Sequence, residues 1–323
     1  MKLWRTLVLA LVVASALPTL ASAETYPARP IRVVVPFPPG GPSDFFARGL
    51  ANALKAHLDQ PLVIENRSGA TGIVGADNIA KSPPDGYSVL LGSPGTMVVA
   101  PSISEHVPFD VFRDFVAVTL VVKVPEAVVC IPKLGVKTLP EFVAYAKAHA
   151  GKLTMASTGS GGVPHLAGEL LKREAGFDAV HVPYRGAAPA VNDLLAGQVD
   201  FMFADLPVLL PHIQAGSLVA LALGSAKRSP SRPELPTTAE AGYPGVTADN
   251  WYGLFLPAKT PPKVQAKLHD AVVAALQEPE LQAMYAKQGG EASPMTQAAF
   301  DAFVHSEATK WGGLAKAVGA HID

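Results

Sequence analysis

Short apolar β-runs alternate with helical stretches from residue 31 almost to the end of the chain, and this alternation restricts the fold more than any other feature. Strand, helix and strand in repeated succession place helices against a mainly parallel sheet, so the expected class is α/β in layers. Runs at 31–35, 62–65, 88–91 and 116–120 read as strands, with helices at 44–58 and 72–81 between them. A second set follows, with strands at 128–131, 153–156, 179–183, 199–203 and 219–223 and helices at 141–150, 164–175, 187–196 and 207–214. Helical stretches at 262–277, 279–288 and 296–317 end the chain. Two sets of βα units in 323 residues predict two domains. No Ser/Gly linker separates them, so the crossings near 121–126 and 246–251 are expected to be strands or short loops.

Open α/β sheets bind ligands at the carboxyl ends of their strands, which directs the search to each strand-to-helix junction. At the first junction an apolar run gives way to Pro36-Phe37-Pro38-Pro39-Gly40-Gly41-Pro42-Ser43-Asp44, and a helix begins at once with Phe46, Leu50, Leu54 and Leu58 on one stripe. Glycines let the backbone bend and let a ligand come close. The first N–H groups of a helix lack internal partners and sit at the positive end of its dipole, so a negative group is held there without a cationic side chain. The other reading is a capped βα turn with no ligand.

Four more junctions carry candidates. Ser157-Thr158-Gly159-Ser160-Gly161-Gly162-Val163-Pro164-His165 offers a second nest of amides, and Pro164 breaks any dinucleotide fingerprint. Ser93-Pro94-Gly95-Thr96, Tyr184-Arg185-Gly186 and Ala204-Asp205 complete the set. A cleft between two domains would grip a small carboxylate from both sides, and excluding water would strengthen each amide bond to it. Asp44 and Asp205 either cap their helices or accept from a ligand hydroxyl, amine or water. Arg185 is either a salt link to a second carboxylate or a surface arginine. His165 is either a donor to an anion or a local helix-start contact, and Phe37 and Trp251 either wall the cleft or pack inside.

Composition narrows the class further. The first 23 residues combine Lys2 and Arg5, an apolar core at 7–17 and an Ala21-Ser22-Ala23 cleavage site, so they read as a signal peptide for export. Its removal takes the formal charge from 26 − 27 = −1 to 24 − 27 = −3. No basic stripe suggests nucleic acid, and no later segment is long and apolar enough to span a bilayer. The single cysteine, Cys130, lies in an apolar run and reads as a small buried residue. The nine histidines show no metal-ligand spacing, and no cofactor motif, serine elbow or Walker loop is present. An exported α/β hydrolase remains as the alternative, with Ser160 and His165 as its pair.

The segments Tyr26-Pro-Ala-Arg-Pro-Ile-Arg32, Val35 to Asp44, Val63-Ile-Glu-Asn-Arg67, Pro84-Asp-Gly-Tyr87, Ala167-Gly-Glu-Leu170, His181-Val-Pro-Tyr184 and Leu194-Leu-Ala-Gly-Gln198 resemble those of the Bug family, periplasmic receptors of tripartite tricarboxylate transporters. The resemblance runs in order over the whole chain after the signal peptide. It implies a type II periplasmic-binding-protein fold: lobe 1 from 24 to 123, lobe 2 from 124 to 247, and a return of 248–323 to lobe 1. It implies a di- or tricarboxylate, acidic amino acid or aromatic carboxylate held by loop amides, delivery to an inner-membrane permease, no catalysis, and a monomer. A receptor feeding a signalling system fits the residues equally well. The positions matching the family's loops are Phe37, Pro39, Gly40, Gly41 and Asp44; Ser93, Gly95 and Thr96; Ser157, Thr158, Gly159, Ser160, Gly161 and His165; and Tyr184, Arg185 and Gly186. Many relatives carry Phe-Asp-Asn or Phe-Asp-Ser at the fifth junction, whereas here the acid, Asp205, comes one place later.

Overall fold

The computed structural model describes residues 26–104 and 106–320. The signal-peptide reading of residues 1–23 lies outside them. The first half of the chain forms β1 (Ile31–Val35), α1 (Pro42–Ala53), β2 (Leu62–Asn66), α2 (Ile73–Ala80), β3 (Ser88–Gly92) and the long β4 (Phe115–Cys130). Next come α3 (Leu139–Ala148), β5 (Leu153–Ser157), α4 (Val163–Ala175), β6 (Ala179–Pro183), α5 (Ala187–Leu195), β7 (Phe201–Asp205), α6 (Leu206–Gln214) and β8 (Val219–Leu223). The chain ends with β9 (Asp249–Pro257), α7 (Pro262–Leu276), α8 (Pro279–Lys287), a two-residue β10 (Glu291–Ala292) and α9 (Gln297–Ala317).

The strand order is β2-β1-β3-β9-β4-β7-β5-β6, with β8 and β10 also paired to β4. β1 runs parallel to β2 and β3, and β5 runs parallel to β6 and β7, as βα succession demands. The middle is antiparallel: β9 pairs β3 and β4, and β4 pairs β7 and β8. The expectation of two separate strands at 116–120 and 128–131 is corrected here, because β4 is one strand of 16 residues that itself makes the first crossing. Its 115–125 portion pairs β9, and its 126–130 portion pairs β7 and β8, so one strand serves both lobes. β9 was missed because its aromatic run carries Gly253 in the middle. That glycine is forced, since a Cβ there would meet the Phe300 ring at 2.1 Å.

Local packing accounts for the elements. Phe46, Leu50, Leu54 and Leu58 are at most 6 % exposed, as their spacing predicts. Each contributes roughly 1.5–3 kcal/mol by leaving water. Thr138 and Glu141 form a capping box at the start of α3. The C-terminal helices seal the assembly. The Tyr285 hydroxyl in α8 donates to the Phe46 carbonyl of α1 at 2.7 Å. In α9, Phe300 and Val304 join the core around Trp251, while Trp311 and Ala315 join the core of the second sheet beside Val128 and Leu171. The last helix therefore spans both lobes.

Candidate functional site

In the first lobe, loop 36–41 leads from β1 into α1. Gly40 has φ +82°, a region that favours glycine, and Gly41 caps the helix in extended conformation with no side-chain cap. Pro42 follows at the helix start. The amides of Ser43 and Asp44 have no partner among the described residues. The Gly40 amide is occupied, because it donates to Asp44 Oδ2 at 3.0 Å. The same carboxylate accepts Arg48 Nε at 2.9 Å and Asn66 Nδ2 at 3.0 Å. Burial alone would raise the Asp44 carboxyl; these bonds outweigh it and hold it below the usual carboxylate range. Gly41 fills the cap position, so Asp44 does not cap α1, and three protein donors already converge on the acid. Phe37 is half-buried, with its carbonyl accepting from Asn66, and Pro39 is exposed.

Two further loops lie beside this one. Ser93 and Thr96 are buried where β3 ends, and Gly95–Val99 forms a π-turn. The Thr96 hydroxyl donates to the Thr71 carbonyl at 2.9 Å. That partner belongs to a loop the sequence reading passed over: Gly69, Ala70, Thr71 and Gly72 all have positive φ. A Cβ on Gly72 would lie 2.2 Å from Thr96 Oγ1 and 3.2 Å from Pro36 Cβ, so glycine alone fits where the three loops meet. The signal was present in the spacing of Gly69 and Gly72 after a strand.

In the second lobe, loop 158–162 leads from β5 into α4. Gly161 has φ +74°, and Gly162 caps the helix in extended conformation. The amides of Thr158, Ser160, Val163 and His165 have no partner among the described residues. The Gly161 amide donates to His165 Nδ1 at 3.1 Å, and the Gly159 amide donates to the buried Ser157 hydroxyl at 3.3 Å. Ser157 Oγ lies 2.7 Å from His181 Nε2, and the rings of His165 and His181 stack 3.8 Å apart. Burial, with Lys172 nearby, pushes His165 down to about 4. Burial and its histidine neighbour push His181 to about 4 as well. His165 is thus a neutral acceptor bound to its own loop. The Ser160–His165 pair of the hydrolase reading does not form, because Ser157 is the serine that meets a histidine. Tyr184 donates to Asp193 at 2.7 Å, Gly186 starts α5 with φ +112°, and Arg185 is exposed with no ion pair among the described residues.

Turns from the two lobes meet at one point. A Cβ built on Gly95 would lie 3.6 Å from Thr71 Cγ2 and 3.8 Å from Gly162 Cα, which brings first-lobe and second-lobe turns together. Within the second lobe, the same construction on Gly159 lies 3.7 Å from the Tyr184 carbonyl. The loop at 93–96, which also meets the 69–72 loop and Pro36 through Gly72, is thus in contact with the helix start at Gly162.

Beneath the loops, where β4 crosses, lies a group of buried acids. Glu126 of β4 stands opposite Asp205 of β7 in the ladder and is fully sealed from solvent. Asp205 accepts Asn250 Nδ2 and the Tyr252 hydroxyl, each at 2.8 Å, and both donors come from β9. Glu126 has no N–H or O–H to accept from. Burial, and then the Asp205 charge, raise it well above its ordinary range, while the bonds from Glu126, Asn250 and Tyr252 pull against burial at Asp205. Both acids are thereby raised, Glu126 well above its ordinary range, so the pair retains a proton in the fold. Asp205 neither caps α6 by its side chain nor keeps an oxygen free; it ties the second sheet to β9. Trp251 packs among Phe255, Phe300 and Phe303. Among the described residues no cluster of His, Cys, Asp and Glu is arranged to hold a metal ion. A separate cavity of about 760 Å³ between β8 and segment 232–241 contains none of these loops.

Comparisons with known proteins identify the family. The family model described as the tripartite tricarboxylate transporter family receptor matches residues 46–320. Protein BugT of Bordetella pertussis is 39 % identical over 302 residues, 93 % of either chain. A solved R. palustris protein with adipate has a TM-score of 0.87 at 32 % identity, covering 92 % of this chain and 99 % of that one. MatC of Rhodopseudomonas palustris, solved with bound malate, has a TM-score of 0.82 at 32 % identity, covering 90 % and 99 %. Relatives of this kind are solute-binding receptors rather than enzymes. With its two α/β lobes and glycine turns, the chain belongs to the tripartite tricarboxylate transporter receptor family, the periplasmic solute-binding proteins of the TctC and Bug type.

Proposed function

We propose that the protein is an exported receptor that holds a small organic carboxylate between its lobes by loop amides and helix starts, and delivers it to the permease of a tripartite tricarboxylate transporter. The reading is supported by the approach of Gly95 to Gly162 and by the partnerless amides at 43–44 and at 158, 160, 163 and 165, which on this reading line one space. Oriented N–H dipoles stabilise a carboxylate there, and water exclusion on closure strengthens each bond. The ligand-facing set is that of the loops already described: 37–41, 93–96, 157–161 and 184–186, with Thr71 added. Lobe 1 comprises 24–123 and 248–323, and lobe 2 comprises 124–247, with cleavage of the signal peptide after Ala23. The protein works as a monomer, and Arg185 meets a second negative group on the ligand. Adipate and malate, seen on the two relatives, head the candidate ligands.

Calorimetry on the exported form tests this with adipate, malate, citrate, glutamate and benzoate. At a hundredfold excess over Kd, a bound acid adds about 2.7 kcal/mol of stability, which a melting curve detects. If every acid binds no tighter than about millimolar (roughly −4.1 kcal/mol) and the Tm stays fixed, the carboxylate reading is wrong.

A further inference from the structure

The turns that open α1 and α4 are built on one plan. In each, a positive-φ glycine precedes an extended glycine that caps a helix: Gly40 (+82°) and Gly41 before α1, Gly161 (+74°) and Gly162 before α4. In each, a proline in the first helical turn, Pro42 or Pro164, contributes no N–H. In each, the third helical residue turns back and accepts the amide of the first glycine four residues earlier. Asp44 Oδ2 takes Gly40 N–H at 3.0 Å, and His165 Nδ1 takes Gly161 N–H at 3.1 Å. One anchor is a carboxylate and the other an imidazole, yet the backbone around them has the same form.

We propose that Asp44 and His165 are a matched pair of positioning residues, which fix the two glycine turns so that the amides following them face the ligand. This rests on the reading of the cleft as a carboxylate site. A positive-φ glycine has many other conformations available, and a bond to its amide removes that freedom before the ligand arrives. The bond also occupies an amide that would otherwise compete for the ligand's geometry. Asp44 brings a negative charge close to an anion site, and Arg48 at 2.9 Å offsets it. The second anchor needs no such counterion, because a neutral imidazole accepts without charge. Its other nitrogen faces Glu169 at 3.9 Å, Glu169 is itself paired with Lys172 at 2.9 Å, and His181 covers the ring.

Amide exchange measured by NMR on the ligand-free protein tests the anchors directly. In His165→Ala, Gly161 exchanges about tenfold faster and Gly40 does not change; in Asp44→Ala the two are reversed. His165→Asn, whose Oδ1 takes the place of Nδ1, restores slow exchange at Gly161. Affinity for adipate or malate, whichever the wild type binds tighter, falls about tenfold in each alanine variant and recovers in His165→Asn. Unchanged exchange in both alanine variants overturns the proposal, as does a stably folded His165→Asn that restores nothing. If the wild type binds neither acid, the carboxylate reading is what fails, and the exchange measurements alone decide on the anchors.

Discussion

At the scale of single residues, burial is the main influence on Glu126, His165 and His181, whereas at Asp44 the bonds from Arg48, Gly40 and Asn66 outweigh it. Glu126 is the clearest instance: sealed on β4 beside Asp205, it keeps its proton far above its ordinary range. The unfolded chain ionises Glu126 at ordinary pH while the folded chain does not, so the group favours folding only at low pH and this contribution is lost as pH rises. Glu126→Gln keeps a donor toward Asp205 without an ionisable group. It is expected to raise the Tm by about 3–6 °C at pH 8 and to change little near pH 4. Melting curves across pH check this, and a lower Tm at pH 8 contradicts the shared proton. The histidines give the opposite sign. His165 and His181 are held down to about 4, so the stability they contribute is complete above pH 6.5 and is lost as pH falls toward 4. His181→Gln, which retains an acceptor toward Ser157, should show a shallower loss of Tm between pH 6.5 and 4 than the wild type.

At the scale of elements, the glycine turns show how conformation and space make separate demands. A Cβ on Gly40 would meet no atom within 4 Å, so nothing blocks a side chain there. Its φ of +82° is what excludes one. Gly40→Ala is therefore expected to cost about 1–2 kcal/mol in urea unfolding, the penalty for a left-handed L-residue. No measurable loss would mean that the turn relaxes to another conformation. Gly72 is the contrasting case, where Thr96 and Pro36 leave no room in addition to the φ of +91°. β4 shows the same separation at larger scale: its sequence reads as two strands, and continuous pairing with β9, β7 and β8 makes it one.

At the scale of the whole molecule, closure depends on small residues where the lobes touch. Gly95 has ordinary backbone geometry, with Thr71 and Gly162 at van der Waals distance from its Cβ position. A longer side chain at 95 would run into Thr71 and Gly162 in this arrangement, and on the hinge reading an opening of the lobes would relieve it. Gly95→Leu is expected to weaken carboxylate binding about tenfold or more, equal to 1.4 kcal/mol or more against closure, while the ligand-free Tm stays near the wild-type value. Calorimetry with small-angle scattering checks this, and wild-type affinity would show that binding does not require Gly95 and Gly162 to approach. The last helix adds a second tie between the lobes, since Phe300 and Val304 pack around Trp251 while Trp311 and Ala315 pack with Val128 and Leu171.

The sequence by itself determined the alternation of strands and helices, the buried stripe of α1 and the positions of the glycine junctions. All of these are local: a period, a proline, a glycine pair and a helix start are written in neighbouring residues. It did not determine that Asp44, Asp205 and His165 were already engaged by the protein, because their partners Asn66, Asn250 with Tyr252, and the conformation of Gly161 depend on packing. It missed β9 and the 69–72 loop for the same reason, since a strand with a central glycine and a turn with positive φ are stabilised by what packs on them. Tertiary structure alone decided which amides remain free and that Gly95 and Gly162 come together, because an N–H has one hydrogen to give and only the folded chain assigns it.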